Sequence, residues 1–509
     1  MKVDLSAKAG SGCESRVSAS EKPARHVLES ILSQSIMQRF LGWMTRTDSS
    51  GKCFFERLCE NYNNADLLAR ERWKWWLPEL LIDHALRRAK LDKEVMTRKL
   101  FHHEPTVRAL ALTGRSIARY GLSAPQRFAA PLMVVWNMTA ACNLLCKHCY
   151  QNAVPRPGSD ELTLTEKLGV VDQLGAAGVP FLAIAGGEPL MSGDLWPVLE
   201  RARQNRIHVS LATNGTLLTK DMVTRLIAAG VKYVEVSIDS VTPEEHDRFR
   251  GRPGAWARSV EGIRNSVAAG MRTGLAMCFT RRNVETVDDA VELAIALGCR
   301  TFSHFNFIPV GRGTQMADAD LTPSQREWLM RRLVAHLQEG RINIISTAPQ
   351  FGRACVAYAP PDGVFATGHA GSGKGKQTMI LARYVGGCGA GRCYCAIQPN
   401  GDVTPCVYIS TLKVGSLRRQ CLAEIWECSL FGVLSNRSNL HDYCAVCQDR
   451  AYCGGCRARA QAYLSDIRAG DPGCKHNRDL WEDLVASDLG GLVVPGELKS
   501  SPVRRVGFD

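Results

Sequence analysis

The pattern of apolar positions changes character near Pro131. Before it, over residues 26–130, apolar residues such as Val27 and Ile31 recur at helical spacing, with no clear alternation of period two. Such spacing is typical of amphipathic helices. We therefore expect a helical N-terminal region over 26–130. The polar, basic stretch 1–25 that precedes it is expected to be a disordered tail.

From Pro131 onward, short runs with strand character alternate with helical patterns. The predicted strands are Leu132–Met138, Pro180–Gly186, His208–Asn214, Lys232–Asp239, Arg272–Thr280 and Thr301–Pro309. The predicted helices are Glu166–Ala177, Asp194–Asn205, Lys220–Ala229, Ala255–Ala269, Val287–Leu297 and Pro323–Glu339. A row of about six βα units indicates a parallel sheet, and is fewer than the eight that close a TIM barrel. The predicted fold class is α/β, with an open, partial (β/α)6 TIM-like barrel over 131–340.

Beyond Gly340 this regular alternation stops, and the chain becomes rich in Gly, Ala and Pro. We expect a linker or loop over 341–387, a small cysteine-rich C-terminal domain over 388–480 and a C-terminal tail over 481–509. In parallel α/β folds the chemistry lies at the carboxyl ends of the strands. Functional side chains are therefore expected directly after the predicted strands.

Composition and charge narrow the class of protein. The chain is 45% hydrophobic and 22% charged, as is usual for a folded soluble protein. It has no run of about 18 apolar residues and no apolar segment after its first charges, so neither a transmembrane segment nor a secretory signal is predicted. A cytoplasmic location is therefore expected. The net charge of +13 is spread along the chain, which makes nucleic acid an improbable partner.

The twenty cysteines are the strongest chemical signal in the chain. Without an export signal, metal or redox chemistry is a better explanation for them than disulfides. Three of them form a Cys-x3-Cys-x2-Cys motif after the first predicted strand, namely Cys142, Cys146 and Cys149. Thiolates are natural ligands of iron–sulfur clusters, and three of them leave one iron of a 4Fe–4S cluster open. The alternative is a zinc site with His148 as fourth ligand.

This motif, followed by Tyr150 and preceded by a strand, resembles that of the radical S-adenosylmethionine (SAM) superfamily. The resemblance implies a SAM-binding 4Fe–4S cluster on the three thiolates. It also implies cleavage of SAM to a 5′-deoxyadenosyl radical, with electrons from a donor such as flavodoxin or ferredoxin. Conversion of Cys146 to Ala should then abolish cluster binding and SAM cleavage together.

Further matches to this superfamily follow the later strands in order. The resemblance implies that Glu188 offers a carboxylate to the SAM ammonium, that polar groups at the ends of the third and fourth strands bind its carboxylate and ribose, and that backbone after the sixth approaches its adenine. The residues assigned to SAM are Gly186, Gly187, Glu188, Pro189, Asn214, Ser237, Asp239 and Val310. The group that reacts with the substrate is not identified by the sequence.

The later cysteines resemble the SPASM extension of radical SAM enzymes, which implies two auxiliary 4Fe–4S clusters. One would use Cys388, Cys406, Cys456 and either Cys393 or Cys395. The other would use Cys444, Cys447, Cys453 and Cys474. Cys393 and Cys395 are two apart in a strand-like stretch, so both are expected to point the same way, and the choice stays open. One or two zinc sites are the alternative here.

The sequence of the segment Cys453–Ala460 resembles that found in both peptide maturases and the haem-d1 or alternative-haem enzymes. We therefore expect an oxidoreductase that takes hydrogen from a peptide or a small cofactor precursor. Its auxiliary clusters are expected to accept electrons. The alternatives are modification of a tetrapyrrole side chain by the same chemistry and a non-catalytic iron–sulfur or zinc scaffold.

Overall fold

A computed structural model of the chain describes residues 32–48, 51–62, 75–88, 93–97, 101–366 and 371–487. The predicted tail over 1–25 lies outside them, as do residues 488–509 of the predicted C-terminal tail. The N-terminal helices are α1 (Ser35–Met44), α2 (Phe54–Asn61), α3 (Trp76–Arg88), α4 (Lys93–Met96) and α5 (Glu104–Tyr120). The helical N-terminal region is thus confirmed, since the described residues before Pro131 contain no strand beyond an isolated bridge between Thr47 and Cys53.

Strands and helices then alternate, close to the predicted bounds. The elements are β1 (Met133–Asn137), α6 (Leu164–Ala177), β2 (Phe181–Ala185), α7 (Leu195–Gln204), β3 (His208–Thr213), α8 (Lys220–Ala228), β4 (Tyr233–Ser237), α9 (Pro243–Arg250), α10 (Ala255–Ala268), β5 (Arg272–Phe279), α11 (Val287–Ala296), β6 (Thr301–Asn306) and α12 (Pro323–Glu339). Short 3₁₀ helices cover Pro189–Met191, Val284–Thr286 and Gly311–Ala319.

The regular structure continues past Gly340, so the prediction of an irregular linker over 341–387 is wrong. This part contains β7 (Asn343–Ser346), α13 (Gln350–Tyr358), β8 (Val364–Ala366), β9 (Ser372–Lys374) and α14 (Gly375–Val385). Strand β7 has only four residues, too few to display a period. The alternation of apolar and polar residues in β7 is therefore too short to predict a seventh βα unit.

The cysteine-rich part adds further short elements. These are β10 (Tyr394–Ile397), β11 (Asp402–Thr404), β12 (Gly415–Ser416), α15 (Leu422–Trp426), α16 (Ser429–Ser435), α17 (Asp442–Val446), α18 (Arg457–Leu464) and α19 (Arg478–Ala486), with 3₁₀ helices at Arg437–Asn439 and Gln448–Ala451.

One open sheet joins the barrel strands and the cysteine-rich part. Its strand order is β12-β11-β10-β1-β2-β3-β4-β5-β6-β7, with β1 to β7 parallel in chain order. Strand β10 pairs in parallel with the other edge of β1, and β11 and β12 follow antiparallel. The predicted α/β fold with a partial, TIM-like parallel sheet is thus confirmed. The cysteine-rich part is therefore joined to the first barrel strand by the pairing of β10 with β1.

Alternation along the strands directs one face of the sheet into the core. Val134 and Trp136 of β1 and Leu182 of β2 are fully buried, and they join Val171 and Leu174 of α6 in the principal hydrophobic cluster. The helices begin where their sequence directs. At the start of α6, the Thr163 hydroxyl accepts a hydrogen bond from the backbone N–H of Glu166, and the Glu166 carboxylate accepts one from that of Thr163.

The N-terminal helices pack at the amino edge of the strands. Arg115 of α5 donates to the carbonyl of Ala177, at 2.6 Å, where α6 ends before β2 begins. Arg108 of α5 donates to the carbonyl of Asn205, at 2.8 Å, between α7 and β3. The contacts therefore lie at the edge opposite to the carboxyl ends of the strands. Among the described helices, none combines the length and apolar character that a membrane crossing requires.

Candidate active site

The loop Cys142–Cys149, here called the cluster loop, follows β1 at its carboxyl end. All three thiols pack in one small apolar group with Leu144 and Ala153. The backbone N–H of Leu144 points at Cys142 Sγ and that of Ala153 at Cys149 Sγ, each at 3.4 Å. Burial raises the pKa of Cys142 and raises that of Cys146 to about 11, whereas the N–H of Leu144 opposes the shift at Cys142. The loop therefore brings three thiols together at the end of β1.

Two later segments hold the cluster loop in place. The Arg312 guanidinium donates to the carbonyls of Cys146, at 2.8 Å, and Ala153, at 2.7 Å. The backbone N–H of Leu145 donates to the carbonyl of Arg250 at 3.1 Å. Gly311, with φ of +58°, packs so closely that a Cβ there would lie 2.4 Å from the Cys149 carbonyl oxygen. Its neighbour Val310, predicted to face adenine, thus ends a segment that also supports the cluster loop.

The Gly186–Pro189 turn after β2 packs against the backbone that leads into the cluster loop. The N–H of Gly187 donates to the Thr139 carbonyl and that of Glu188 to the Ala141 carbonyl, both at 2.7 Å. A Cβ on Gly187 would lie 2.1 Å from the Ala141 oxygen. The close approach that these glycines permit is thus to the protein's own backbone. Pro189 is buried and begins the short 3₁₀ helix.

Glu188 is fully buried where β2 and β3 end. Its carboxylate accepts hydrogen bonds from the backbone N–H of Leu190, at 3.1 Å, from the Thr213 hydroxyl, at 2.8 Å, and from the backbone N–H of Asn214, at 2.8 Å. Burial raises its pKa, and these donors act in the opposite direction. Asn214 in turn donates to Asn143 of the cluster loop at 2.8 Å. Glu188 and Asn214 therefore lie beside the thiols.

Asp239 pairs with Arg250 just beyond the end of β4, where Ser237 is half-buried. The Arg250 guanidinium donates through Nη2 at 2.7 Å and Nε at 2.8 Å to Asp239 Oδ2. Cys278 donates its backbone N–H to the other oxygen at 3.2 Å. Burial lowers the pKa of His148 to about 4, and its Nε2 lies 3.6 Å from Asp239. A buried ion pair therefore borders the cluster loop.

Among the later cysteines, Cys388, Cys393, Cys406 and Cys456 form the first auxiliary group. Burial raises the pKa of Cys406 to about 12, with smaller contributions from the nearby thiols of Cys388 and Cys456. Cys393 approaches the same place, since a Cβ on Gly389 would lie 2.9 Å from its Sγ. These four cysteines therefore lie together.

Cys395 does not join the first auxiliary group. It is fully buried in the principal core, and the thiol that acts on it is that of Cys428. The expectation that Cys393 and Cys395 point the same way is wrong, because β10 begins at Tyr394 and leaves Cys393 in the preceding turn. Strand alternation applies only within the strand.

The second auxiliary group consists of Cys444, Cys447, Cys453 and Cys474. Burial raises the pKa of Cys474 to about 12, with smaller contributions from Asp471 and Cys444. Burial also raises the pKa of Cys453, with contributions from Cys474 and Cys444, and Cys444 likewise acts on Cys447. These thiols therefore act on one another electrostatically, which places them near each other.

Asp471 joins the two auxiliary groups. Its carboxylate accepts the backbone N–H of Cys456 at 2.8 Å and that of Gly473 at 2.9 Å, and its carbonyl accepts that of Cys474 at 3.0 Å. The guanidinium of Arg459 lies 3.7 Å from the carboxylate and also donates to the Phe307 carbonyl, just beyond β6, at 2.7 Å. The auxiliary groups are thereby anchored to the carboxyl end of the barrel sheet.

A tyrosine pair lies between the cluster loop and the first auxiliary group. The rings of Tyr150 and Tyr408 are 5.2 Å apart at 65°. The Tyr150 hydroxyl donates to Asn137 at 2.9 Å. Burial raises the pKa of both tyrosines, with contributions from Cys149 and Cys406 on Tyr150. Sequence reasoning quoted Tyr150 only as part of a motif and missed Tyr408, which no motif marks.

In donor type and number, the three sets of thiols fit 4Fe–4S clusters. The cluster loop offers three thiols, which leaves one iron open, and each auxiliary group offers four. Among the residues that the structure describes, no three His, Cys, Asp or Glu side chains converge closely enough to hold a single metal ion.

Comparison with known proteins agrees with this arrangement. The radical SAM superfamily profile matches residues 136–318, and that of SPASM, an iron–sulfur cluster-binding domain, matches residues 388–449. The AdoMet-dependent heme synthase of Methanosarcina barkeri is 33% identical over 347 residues, which cover 68% of this chain and 96% of that protein. The chain belongs to the radical SAM superfamily. Mycofactocin maturase MftC of Mycobacterium tuberculosis is also similar to this radical SAM chain, at 31% identity over 68% of it and 83% of the maturase.

Solved radical SAM structures share the fold. SuiB of Streptococcus suis, crystallised with its precursor peptide SuiA, superposes with a TM-score of 0.58 at 16% identity, over 84% of this chain and 93% of SuiB. SuiB has also been crystallised with S-adenosylmethionine. The radical SAM and SPASM assignments made from the sequence are confirmed by the two profile matches.

Proposed function

We propose that this chain is a radical SAM oxidoreductase that modifies a tetrapyrrole, a haem-type precursor, with the electron released from the substrate passing to auxiliary clusters. The observation that carries the proposal is the match to the heme synthase of Methanosarcina barkeri, of which the chain covers 96%. The match includes enough length for both the barrel and the auxiliary groups. Oxidation agrees with the presence of two auxiliary groups of four thiols each.

The cluster-loop thiols would hold the SAM-binding cluster. When bound and reduced, that cluster would supply the electron for reductive cleavage of SAM, and thereby the radical chemistry that removes hydrogen from the substrate. Glu188, Asn214, Ser237, Asp239 and Val310, which lie at or directly after the carboxyl ends of β2, β3, β4 and β6, are assigned here to orient SAM. The buried Arg250–Asp239 pair lies beside the cluster loop, whose Leu145 N–H donates to the Arg250 carbonyl.

The two auxiliary groups would each hold one 4Fe–4S cluster, with Cys393 rather than Cys395 as the fourth ligand of the first. Tyr150 and Tyr408 separate the cluster loop from this group. An external carrier such as flavodoxin or ferredoxin would supply the reducing electron. The described cysteines are all free, which supports a reducing, cytoplasmic location.

A peptide substrate is the second candidate, because a mycofactocin maturase is 31% identical over a similar length. The described part of the N-terminal region offers helices and no sheet to which an extended peptide can add a strand. Its observed contacts also lie at the amino edge of the barrel. Both features favour the tetrapyrrole.

The test incubates the reconstituted protein with SAM, a reductant and an iron-coproporphyrin or related tetrapyrrole under anaerobic conditions. Formation of 5′-deoxyadenosine together with a tetrapyrrole of altered mass supports the proposal. Formation of 5′-deoxyadenosine without change in any tetrapyrrole would favour the peptide candidate. Absence of 5′-deoxyadenosine at about twelve irons per chain would favour a non-catalytic scaffold.

A further inference from the structure

Arg437 is a buried cation between the auxiliary groups. It is 5% exposed, and its guanidinium donates to the carbonyls of Arg450, at 2.8 Å, Ala451, at 2.6 Å, Gly386, at 2.9 Å, and Cys388, at 3.2 Å. Every hydrogen bond of this side chain in the described structure goes to a backbone carbonyl. Arg437 therefore has hydrogen-bond partners but no carboxylate among the described residues to balance its charge.

Arg392 repeats this arrangement directly before Cys393. It is 1% exposed, and its Nη2 donates to the carbonyls of Val385 and Gly386, each at 3.0 Å. The Gly386 carbonyl thus accepts from both guanidiniums. The Nε of Arg392 has no hydrogen-bond partner in the described structure. Two positive charges are therefore buried side by side next to Cys388 and Cys393.

Two uncompensated guanidiniums in a low-dielectric interior are strongly unfavourable unless an anion lies near them. Burial, followed by the nearby charge of Arg392, lowers the pKa of Arg437 to about 9, and the thiolates of Cys388, Cys453 and Cys393 oppose that shift. The negative charges that act on this cation are thus thiols of both auxiliary groups, Cys388 and Cys393 of the first and Cys453 of the second. A 4Fe–4S cluster with four thiolates carries a net negative charge, which supplies the missing compensation.

The arginine of the second auxiliary group offers a contrast. Arg353 acts on Cys453 and Cys474, and it pairs with the carboxylate of Glu327, which also lies 3.1 Å from Lys475. Arg353 therefore has its own carboxylate. Arg457, which is also near Cys444, donates only to backbone carbonyls, so the second group has one cation with a carboxylate and one without, whereas Arg392 and Arg437 both lack a carboxylate among the described residues.

We propose that Arg392 and Arg437 are the built-in counter-charge of the cluster on the first auxiliary group, and that they raise its reduction potential so that it accepts the substrate's electron. Reduction adds a negative charge to the cluster, and nearby positive charge favours that reduced state. The two arginines act on the reduction potential of the cluster and not through contact with the substrate. The inference rests on the proposed function, since it assigns the acceptor role to this cluster.

The experiment isolates the auxiliary clusters in a full-length background with Cys142→Ala, Cys146→Ala and Cys149→Ala. Redox titration followed by electron paramagnetic resonance then compares this background with added Arg437→Gln, Arg437→Lys and, as control, Arg468→Gln. Arg468 is about one-third exposed, and its Nε lies 3.9 Å from Asp466. The signal that disappears on Cys406→Ala identifies the first cluster.

We expect Arg437→Gln to lower the potential of the first cluster, whereas Arg437→Lys and Arg468→Gln leave it near its starting value. An unchanged potential in Arg437→Gln with full iron would overturn the proposal. If Arg437→Gln fails to load iron, retention of iron by Arg437→Lys supports the need for charge, and equal loss in both refutes it. Failure of the proposed function is visible separately, as absence of 5′-deoxyadenosine in the wild-type protein.

Discussion

Arg250 and Asp239 form a buried ion pair at 2.7 Å, although they are eleven positions apart in the chain and Arg250 is the last residue of α9. Both side chains are under 10% exposed. The Asp239 charge raises the pKa of Arg250 and the guanidinium lowers that of Asp239, in both cases against the effect of burial. The backbone carbonyl of Arg250 also accepts a hydrogen bond from the backbone N–H of Leu145 in the cluster loop. Arg250 therefore contributes both a side-chain charge and a backbone contact to the site.

Replacement of Arg250 by Gln should destabilise the protein by about 3 kcal/mol, because Asp239 is left as a buried charge without its partner. Arg250→Lys should recover part of this loss, since it restores the charge but not the two-pronged contact. The midpoint of thermal unfolding measures both changes. Arg252→Gln is the control, because Arg252 is exposed. Equal effects at positions 250 and 252 would contradict the importance of the pair.

A methyl group on Gly187 should disturb the cluster loop. Its Cβ would lie 2.1 Å from the Ala141 carbonyl oxygen, a backbone atom that can yield only by moving the loop. We expect Gly187→Ala to lower iron content by up to about four per chain. Gly193→Ala is the matched control, because nothing lies within 4 Å of a Cβ at that position. Iron and acid-labile sulfide assays measure the difference. Full iron in Gly187→Ala would show that the loop adapts.

The features that could be read from the sequence are those whose signal is local. Cys142, Cys146 and Cys149 lie within eight residues, and the barrel strands are short apolar runs separated by helices. The spacing of the cysteines therefore indicates a cluster motif, and the spacing of the strands indicates the parallel α/β fold. The pairing of β10 with β1 joins segments more than 250 residues apart, and nothing in either strand encodes the partner.

Charges that act at a distance along the chain could not be predicted in the same way. Arg437 and Arg392 lie outside any ligand motif, and their meaning depends on burial and on the absence of a carboxylate among the described residues around them. The choice between Cys393 and Cys395 stayed open for a related reason. It depends on one residue of strand boundary, which sequence patterns do not resolve.

Iron content should distinguish Cys393 from Cys395. Cys393→Ala removes a thiol of the first auxiliary group, so we expect a loss of up to about four irons from about twelve. Cys395→Ala should keep its iron and lower the stability by about 1 kcal/mol, because a fully buried thiol leaves a small cavity. Assays of iron together with thermal unfolding separate the two effects. The reverse pattern would return Cys395 to the ligand set.

Acid should destabilise the barrel through His304. This residue is fully buried on β6, and its Nδ1 lies 2.8 Å from the Ser346 hydroxyl on β7. Burial, followed by the nearby charges of Arg326 and Arg459, lowers its pKa from 6.5 to about 3. The folded protein thus keeps His304 neutral where the unfolded chain binds a proton. Its contribution to stability is complete above pH 6.5 and is lost as the pH falls toward 3.

This loss amounts to about 1.4 kcal/mol for each pH unit below 6.5. We expect His304→Gln to remove that part of the acid sensitivity, so its unfolding midpoint should fall less between pH 6.5 and pH 5 than the wild-type midpoint does. His84→Gln is the control for replacement of an exposed histidine. Since Gln also alters packing, the slope with pH is the quantity to compare. Parallel slopes in all three proteins would mean that His304 takes up its proton in the folded state.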